Sequence, residues 1–468
     1  MVFSSLTFLY FFLPINLLLY YIIKNIYYRN FILTLSSFIF YAWGEPLWIL
    51  LLLFTSFFDY INGRLIEKFG KSLKSKWVLG ISVFVNLGLL AAFKYSGFIY
   101  ENISFFVTLP FPKPENTLPI GISFYTFQTI SYVVDVYRGK VKAQRNPLNF
   151  LLFVSLFHQL VAGPIVRYEH IANEINGRKF KWEDFSSGVQ RFCFGLFKKV
   201  MIANVAGSFV DIYLINHFSE LTIYEAWFGI FMFAIQIYFD FSGYSDMAIG
   251  LGRMFGFHYL ENFNTPYTAT SATDFWRRWH ISLGTFFRDY LYIPLGGNKK
   301  NMYLNLAIVW ILTGVWHGAS WNFIFWGAYF GLFIIIEKLF FLKVLSFVSR
   351  FFSHVYALFI VLMGWVIFYF TDLNQMGQFF GILFNFNNLE PISDLLFIEL
   401  RENVFWLALT ILLCMPWKVW LGYIKWQPTT GWVNFYRLNM IYINLGFLFI
   451  STIYLVGKSY NPFLYFRF

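Results

Sequence analysis

The sequence predicts an all-α integral membrane protein that spans the bilayer many times, and three observations support this fold class. Of the 468 residues, 58% are hydrophobic and 24% are aromatic, whereas only 13% are charged. Soluble domains carry about a quarter charged residues, so this chain has too little polar surface to fold in water. Apolar runs of bilayer-spanning length also recur from end to end. The composition therefore excludes soluble, disordered and nucleic-acid-binding proteins.

About twelve crossings are predicted when the basic loops between apolar runs are assigned to the cytoplasm. The predicted segments are Phe3–Ile23, Phe31–Tyr60 (two crossings), Trp77–Phe93, Leu118–Val136, Pro147–Val166, Gly188–Leu214, Ile223–Phe241, Tyr303–Trp316, Trp321–Ile336, Phe351–Phe370, Trp406–Trp420 and Ile441–Val456. The first run lacks a basic start and a small-residue cleavage site, so we expect a retained span. We expect one membrane domain over residues 1–468, with both termini outside the cytoplasm.

Two of these segments contain predicted breaks. The turn Trp43–Pro46 divides the second run into two crossings. Pro147–Val166 has basic residues on both sides, so either it enters and leaves on one face, with Gly163 and Pro164 as its break, or the charge rule fails at this segment. Irregular backbone at membrane depth is tolerated only where protein or a cavity covers it, so this segment predicts a cavity.

The stretch Asp246–Asn301 has no clean apolar span and is rich in polar and aromatic residues, which is typical of the cytoplasmic face of a site. It contains no standard catalytic spacing, phosphate loop or metal-ligand set. Gly250 and Gly252 are followed by a glycine at the wrong spacing for dinucleotide binding, so we interpret them as sites of close helix packing. Cys193 and Cys414 are interpreted as small core residues.

Two histidines are the candidate functional residues. His317 lies at the break of an apolar hairpin, where an ionisable side chain is costly and commonly functional; the alternative is a structural histidine bonded to a carbonyl. His280 follows Trp276, Arg277 and Arg278 at the predicted cytoplasmic mouth. The two arginines suit an anionic, phosphate-bearing ligand, although simple positive-inside anchoring also explains them.

Several motifs in order along the chain resemble one family. They are Tyr41-Ala42-Trp43-Gly44, Pro119 to Gln128, Ala162-Gly163-Pro164-Ile165, Phe239 to Asp246, Phe275 to Ser282 and Gly314-Val315-Trp316-His317-Gly318. They resemble the membrane-bound O-acyltransferase family, in its bacterial branch of alginate O-acetyltransferases and the teichoic-acid D-alanylation channel. The resemblance covers nearly the whole chain.

This resemblance implies a ring of about twelve transmembrane helices, with re-entrant segments, around a central acyl-transfer tunnel. It implies catalytic roles for His317 and His280, donor binding by Trp276, Arg277 and Arg278, no bound cofactor and no metal. The donor would be a cytoplasmic acyl thioester, with acetyl-CoA expected and a D-alanyl carrier protein as the alternative. The acceptor would be an extracytoplasmic polysaccharide or cell-wall glycan, reached through a membrane-anchored, esterase-like partner protein.

The C-terminal residues 459–468 resemble the aromatic tail of this branch. Within that tail, Tyr465 is a candidate transient acyl carrier on the outer face of the membrane. The alternative is an aromatic anchor at the membrane interface. Two further functions stay open from the residues alone: a transporter that uses His317 in a proton relay, and a scaffold in which His317 is dispensable.

Overall fold

The computed structural model describes residues 1–114, 118–161, 163–386, 391–417, 430–457 and 464, with side chains at all of these except 219 and 430–438. The described residues form helices, turns and loops without a β-strand, which confirms the predicted all-α fold. The first helices are Phe8–Phe12, Leu13–Ile22, Ile26–Ala42, Ile49–Phe69, Leu73–Ser104, Ile122–Tyr137, Pro147–Ser155, Phe157–Leu160, Tyr168–Asn176 and Trp182–Phe197. Next are Lys198–Ala203, Asn204–Val210, Asp211–Asn216, Phe218–Glu220, Ile223–Met254, Pro266–Thr268, Ala272–Arg278, Ile281–Phe287 and Arg288–Tyr292. The last are Met302–His317, Trp321–Ile336, Glu337–Phe341, Leu342–Phe347, Arg350–Tyr369, Leu373–Leu383, Asp394–Glu402, Val404–Cys414 and Thr430–Gly457.

Six helical segments among the described residues are long and apolar enough to cross a membrane. They are Ile49–Phe69, Leu73–Ser104, Trp182–Asn216, Ile223–Met254, Arg350–Tyr369 and Asn439–Gly457. Large apolar side chains such as Trp77 and Phe84 are exposed on the second of them, as expected where lipid is the solvent. The multi-spanning membrane class is thereby confirmed, and the number of about twelve crossings stays a prediction.

The predicted breaks have different outcomes. Helix Ile26–Ala42 ends at the Trp43–Pro46 turn and the next helix begins at Ile49, as predicted. In the Pro147–Val166 segment the first break lies earlier than Gly163, because Leu156 adopts an extended ψ of 114° between two short helices. The backbone then leaves helical geometry again after Leu160. This segment is therefore broken twice.

The chain forms two compact units. Of the described residues, the first unit contains those of Met1–Leu196 and Tyr244–Glu261 and residues 455–457, and the second contains those of Phe197–Gly243 and Asn262–Tyr454 and Leu464. In the first unit, Gly188 and Gly250 bring two helices together: a Cβ on Gly250 would lie 2.6 Å from the carbonyl oxygen of Gly188. The packing interpretation of Gly250 is confirmed, because no larger residue fits this contact. For Gly252 it is wrong, because a Cβ there would lie 2.7 Å from the ring of Tyr259, which belongs to the loop after the helix and not to a second helix.

The helical hairpin of the second unit is packed equally closely. Helices Met302–His317 and Trp321–Ile336 approach at Gly314 and Gly327, where an added Cβ would lie 2.2 and 2.3 Å from a carbonyl oxygen of the other helix. Glycine at both positions lets the backbones touch, which is the common way to pack helices tightly in lipid. The predicted hairpin is therefore confirmed, and its packing determines where its last residue, His317, is held.

Candidate active site

His317 is the last residue of the Met302–His317 helix, at the predicted break of the hairpin. Its side chain is buried, and the imidazole packs edge-to-face against Trp326 and Phe368, with ring centroids 4.8 and 5.5 Å away. Such aromatic walls exclude water, and electrostatic interactions at the ring are stronger in a medium of low dielectric constant. The site therefore suits proton transfer to or from this ring.

His280 directly precedes the Ile281–Phe287 helix and has a φ of 44°. This left-handed backbone conformation is costly for a residue with a Cβ, and such strain is concentrated at functional sites. The ring is buried, and burial lowers the pKa of His280 to about 3. The imidazole is consequently neutral at physiological pH.

The hydrogen bonds around Asn262 determine which nitrogen of His280 carries its proton. The amide oxygen of Asn262 accepts from the backbone N–H and the hydroxyl of Ser282, at 3.2 and 2.8 Å. The same oxygen lies 3.1 Å from Nδ1 of His280. Since this atom is an acceptor, the neutral ring donates through Nδ1, and Nε2 is left with its lone pair. Nε2 is buried without a hydrogen-bond partner among the described residues.

Trp316 contacts both histidines. Its ring centroid lies 6.1 Å from that of His280 and 4.9 Å from that of His317. In the sequence, 36 residues lie between the two histidines. The structure thus brings the two predicted catalytic residues to one indole, within a single compact unit.

A cavity of about 230 Å³ opens beside His280. Aromatic side chains, including Trp276 and Trp310, form much of its wall, and Arg288 and Lys338 contribute positive charge. Thr313 lines it one helical turn before His317, whereas His317, Arg277 and Arg278 are not among the lining residues. Of the predicted donor-binding residues, only Trp276 therefore faces this cavity.

The helix that carries the predicted donor-binding residues is held by a buried carboxylate. Glu337 accepts hydrogen bonds from the backbone N–H groups of Ala272 and Thr273, at 2.7 and 2.8 Å. A carboxylate at a helix N-terminus satisfies unpaired N–H groups and is stabilised by the helix dipole. At the other end of this helix, Arg278 pairs with Asp274 at 2.9 Å and Arg277 is exposed.

The C-terminal tail is described only at Leu464, and Tyr465 lies outside the described residues. Leu464 is buried, and its backbone N–H donates a 2.7 Å hydrogen bond to Oδ2 of Asp240. The other oxygen of Asp240 forms a buried 2.6 Å ion pair with Lys199. The residue before Tyr465 is therefore held inside the second unit by a charged pair.

Sequence reasoning missed three of these contacts. Asn262 lies in the polar stretch that the sequence indicates, and Asp240 lies in a family-like motif, but neither carries a signal of its partner. Glu337 directly follows the apolar hairpin, and its position as a carboxylate at the end of an apolar helix was the available signal.

Comparison with known proteins adds independent information. The model of MBOAT, the membrane-bound O-acyltransferase family, matches residues 141–378, which include both candidate histidines. A probable alginate O-acetylase of Pseudomonas putida is 38% identical over 499 residues, which cover 100% of each chain. The peptidoglycan O-acetyltransferase of Helicobacter pylori is 35% identical over 72% of this chain and 70% of its own. The teichoic acid D-alanyltransferase of Bacillus subtilis is 28% identical over 47% of this chain and 59% of its own.

Proposed function

Because the chain belongs to the membrane-bound O-acyltransferase family, we propose that it transfers an acetyl group from a cytoplasmic thioester to hydroxyl groups of an extracytoplasmic polysaccharide. Family membership makes it a membrane acyltransferase. The donor, the direction of transfer and the acceptor are the proposal. Acetyl is favoured over D-alanyl because the relatives named O-acetylase and O-acetyltransferase are more similar than the one named D-alanyltransferase.

The observation that carries this proposal is the pair of buried histidines on either side of Trp316, next to a cavity that reaches His280. Acyl transfer from a thioester needs a group that takes a proton from the attacking hydroxyl, and neutral imidazole is suited to this near pH 7. It also needs a shaped space for the donor, and the cavity, whose wall is largely aromatic, offers one. No covalent bond to the histidines is required.

In the proposed step, the acceptor hydroxyl oxygen attacks the thioester carbonyl carbon while His317 takes the hydroxyl proton. The tetrahedral intermediate then expels the thiolate as the carbon–sulfur bond breaks. The imidazolium of His317 returns its proton to the sulfur, so the enzyme ends the cycle unchanged. One ester forms, one thioester is lost, and no oxidant or reductant is involved.

We assign His280 the role of a hydrogen-bond acceptor that orients the donor. The family resemblance also suggests an oxyanion donor, but in the tautomer that Asn262 favours, the ring has no second N–H to donate. Its bare Nε2 suits an amide N–H of a pantetheine-type thioester. Trp276 would pack against the donor, and Arg288 and Lys338 would attract its phosphates. Arg277 and Arg278 stay candidates for phosphate contacts outside the cavity.

The C-terminal tail is proposed as the route to the acceptor. Support comes from Leu464, which is buried and bound to Asp240 inside the second unit. In this scheme the hydroxyl of Tyr465, the next residue, is the attacking group of the first step and becomes an ester. At a membrane-anchored, esterase-like partner outside the cell membrane, a glycan hydroxyl then attacks this ester, so the glycan ester forms as the tyrosyl ester breaks and the phenol hydroxyl is restored. This scheme places both termini on the extracytoplasmic side and treats residues 459–468 as an appendage of one membrane domain.

Sealed membrane vesicles of both orientations test the direction of transfer. Labelled acetyl-CoA, which does not cross lipid, is added to inside-out and right-side-out vesicles that contain the full chain and the glycan. We expect protected label on luminal material only in inside-out vesicles. Equal labelling in both orientations, or labelling that needs no thioester, would contradict the proposal.

A further inference from the structure

The first unit contains a second pocket that the acyl-transfer scheme does not use. Its wall combines five basic side chains from three separate parts of the chain with one carboxylate, Asp184. The basic residues are Arg29, Arg178, Lys179, Lys181 and Arg253. The empty space between these side chains is about 250 Å³ including its mouth, and it narrows inward to the width of about one water. The pocket is thus suited to a small anionic group, not to an organic substrate.

Arg29 is buried, with 6% of its surface exposed, and lines this pocket. Its guanidinium lies over the rings of Tyr20 and Tyr21, at 5.0 and 5.5 Å from their centroids. Its Nε has no hydrogen-bond partner, and no carboxylate forms an ion pair with it among the described residues. A buried donor of this kind costs free energy unless a ligand satisfies it.

Arg178 is also buried, with 8% of its surface exposed, and its hydrogen bonds go to neutral acceptors. It donates to the Tyr20 hydroxyl at 3.0 Å, to the Glu174 carbonyl at 2.9 Å and to the Asn30 amide oxygen at 2.7 Å. The carboxylate of Glu174 is instead bound by His258, at 2.7 Å. Among the described residues, Arg178 therefore has no carboxylate partner.

Asp184 does not balance these charges. Its carboxylate lies 3.4 Å from Nε2 of His258, and it is the one acidic residue in the wall. Two buried guanidinium groups without a counter-charge are destabilising, because desolvation of each ion is not repaid by an opposite charge. An anion in the pocket would supply the missing counter-charge.

We propose that this pocket binds a phosphate group, supplied by an anionic phospholipid headgroup or by free phosphate. Arginine forks match phosphate oxygens in bidentate geometry, and the exposed Lys179 and Lys181 add mobile positive charge at the rim. Independently of the structure, the charge pattern assigns Arg29, Arg178 and Arg253 to the cytoplasmic side. Anionic phospholipids are abundant there and attract such basic clusters.

A bound phosphate would connect parts of the first unit that are distant in sequence. Tyr20 lies near the end of helix Leu13–Ile22, Arg29 near the start of helix Ile26–Ala42, and Arg253 near the end of helix Ile223–Met254. A single anion that contacts all three segments stabilises their arrangement by mass action. The stability of the protein then depends on the phosphate available to this pocket.

The test is thermal unfolding of the purified full chain in detergent, titrated with phosphatidylglycerol, with diacylglycerol and with inorganic phosphate. The test variant combines Lys179→Gln with Lys181→Gln; both side chains are exposed, so the fold is retained. The matched control combines Lys71→Gln with Lys76→Gln, which removes the same charge from exposed positions outside the pocket. We expect a saturable rise in Tm, with half-saturation at a roughly tenfold or higher concentration in the test variant only.

The titrants separate the two sources of phosphate. Stabilisation by phosphatidylglycerol but not by diacylglycerol or inorganic phosphate identifies the lipid headgroup. Stabilisation by inorganic phosphate with the same variant dependence identifies free phosphate. The absence of a rise in Tm with either phosphate source, or an equal loss of response in the test and control variants, overturns the proposal.

Discussion

Nδ1 of His280 and Oδ1 of Asn262 lie 3.1 Å apart, and through this contact an amide governs the protonation of a buried imidazole. Because the amide oxygen also accepts a hydrogen bond from the backbone N–H of Ser282, the side-chain amide of Asn262 cannot flip without losing that bond. The tautomer of His280 is therefore fixed by a residue that need not touch the substrate. Asn262 is a positioning residue in this sense, and its replacement tests the assignment.

Asn262→Asp is expected to move the pH dependence of acyl transfer. A carboxylate beside Nδ1 stabilises the imidazolium and raises the pKa of His280 from its lowered value of about 3. The neutral ring is then lost at a higher pH on acidification, so in Asn262→Asp the KM for the donor rises on the acidic side at pH values where the unchanged chain keeps a constant KM. Initial rates at several donor concentrations from pH 4 to 8 measure this KM. An unchanged profile with reduced rates throughout would assign Asn262 a purely structural role.

His317→Ala is expected to abolish acyl transfer while the protein stays folded in the membrane. Loss of a general base lowers the rate about 10²- to 10⁴-fold. A small change at the end of one helix removes only part of the stability of a large helical protein. Acylated glycan and detergent-extracted protein are measured together. His217→Ala, an exposed histidine in the same unit, is the matched control and should be fully active.

His280→Ala is expected to impair the reaction less than His317→Ala. Loss of an orienting contact lowers the rate and raises KM for the donor only partly. Loss of the one proposed base leaves no group to take the proton from the attacking hydroxyl. Donor titrations for both variants distinguish the two effects. An inactive His280→Ala beside an active His317→Ala would mean that the roles are exchanged, which the bare Nε2 of His280 would explain.

Gly284→Leu is expected to block the cavity without disturbing the fold. Gly284 lines the cavity on a short helix, and an added Cβ would meet only the carbonyl oxygen of Trp276, at 3.9 Å. The alanine variant is therefore tolerated, and leucine fills part of the 230 Å³ space. We expect KM for the thioester to rise about tenfold or more in Gly284→Leu and to change little in Gly284→Ala. Equal kinetics for both variants would place the donor elsewhere.

Tyr465→Phe is expected to remove transfer to the glycan while insertion and donor binding persist. Phenylalanine keeps the ring and its interfacial affinity but lacks the oxygen that forms an ester. Mass spectrometry of the C-terminal peptide, with the external acceptor withheld, should show an acyl adduct on Tyr465 that His317→Ala lacks. Tyr460→Phe makes the same change elsewhere in the tail and should remain active. An active Tyr465→Phe protein would exclude the relay and indicate direct transfer from donor to acceptor inside the enzyme.

Sequence reasoning predicts the features of this protein that depend on local chemistry. Apolar length, the Trp43–Pro46 turn and the break between the apolar runs Tyr303–Trp316 and Trp321–Ile336 each carry their own signal, so the fold class, the turn and the position of His317 are predicted. The break at Leu156 is missed because neither glycine nor proline marks it. The contact between Asn262 and His280 and the ion pair between Asp240 and Lys199 join residues whose proximity only the folded chain creates.

The Glu337 contact imposes an order on biogenesis. Ala272, whose N–H binds this carboxylate, precedes it by 65 positions in the chain. At ribosomal speeds of about 5 to 20 residues per second, the nascent Ala272–Arg278 segment waits roughly 3 to 13 s for its capping group to be synthesised. During that interval the backbone N–H groups of Ala272 and Thr273 lack this acceptor. A nascent chain arrested before Glu337 would therefore have an uncapped Ala272–Arg278 helix, so completion of this helix start depends on synthesis of the hairpin that precedes Glu337.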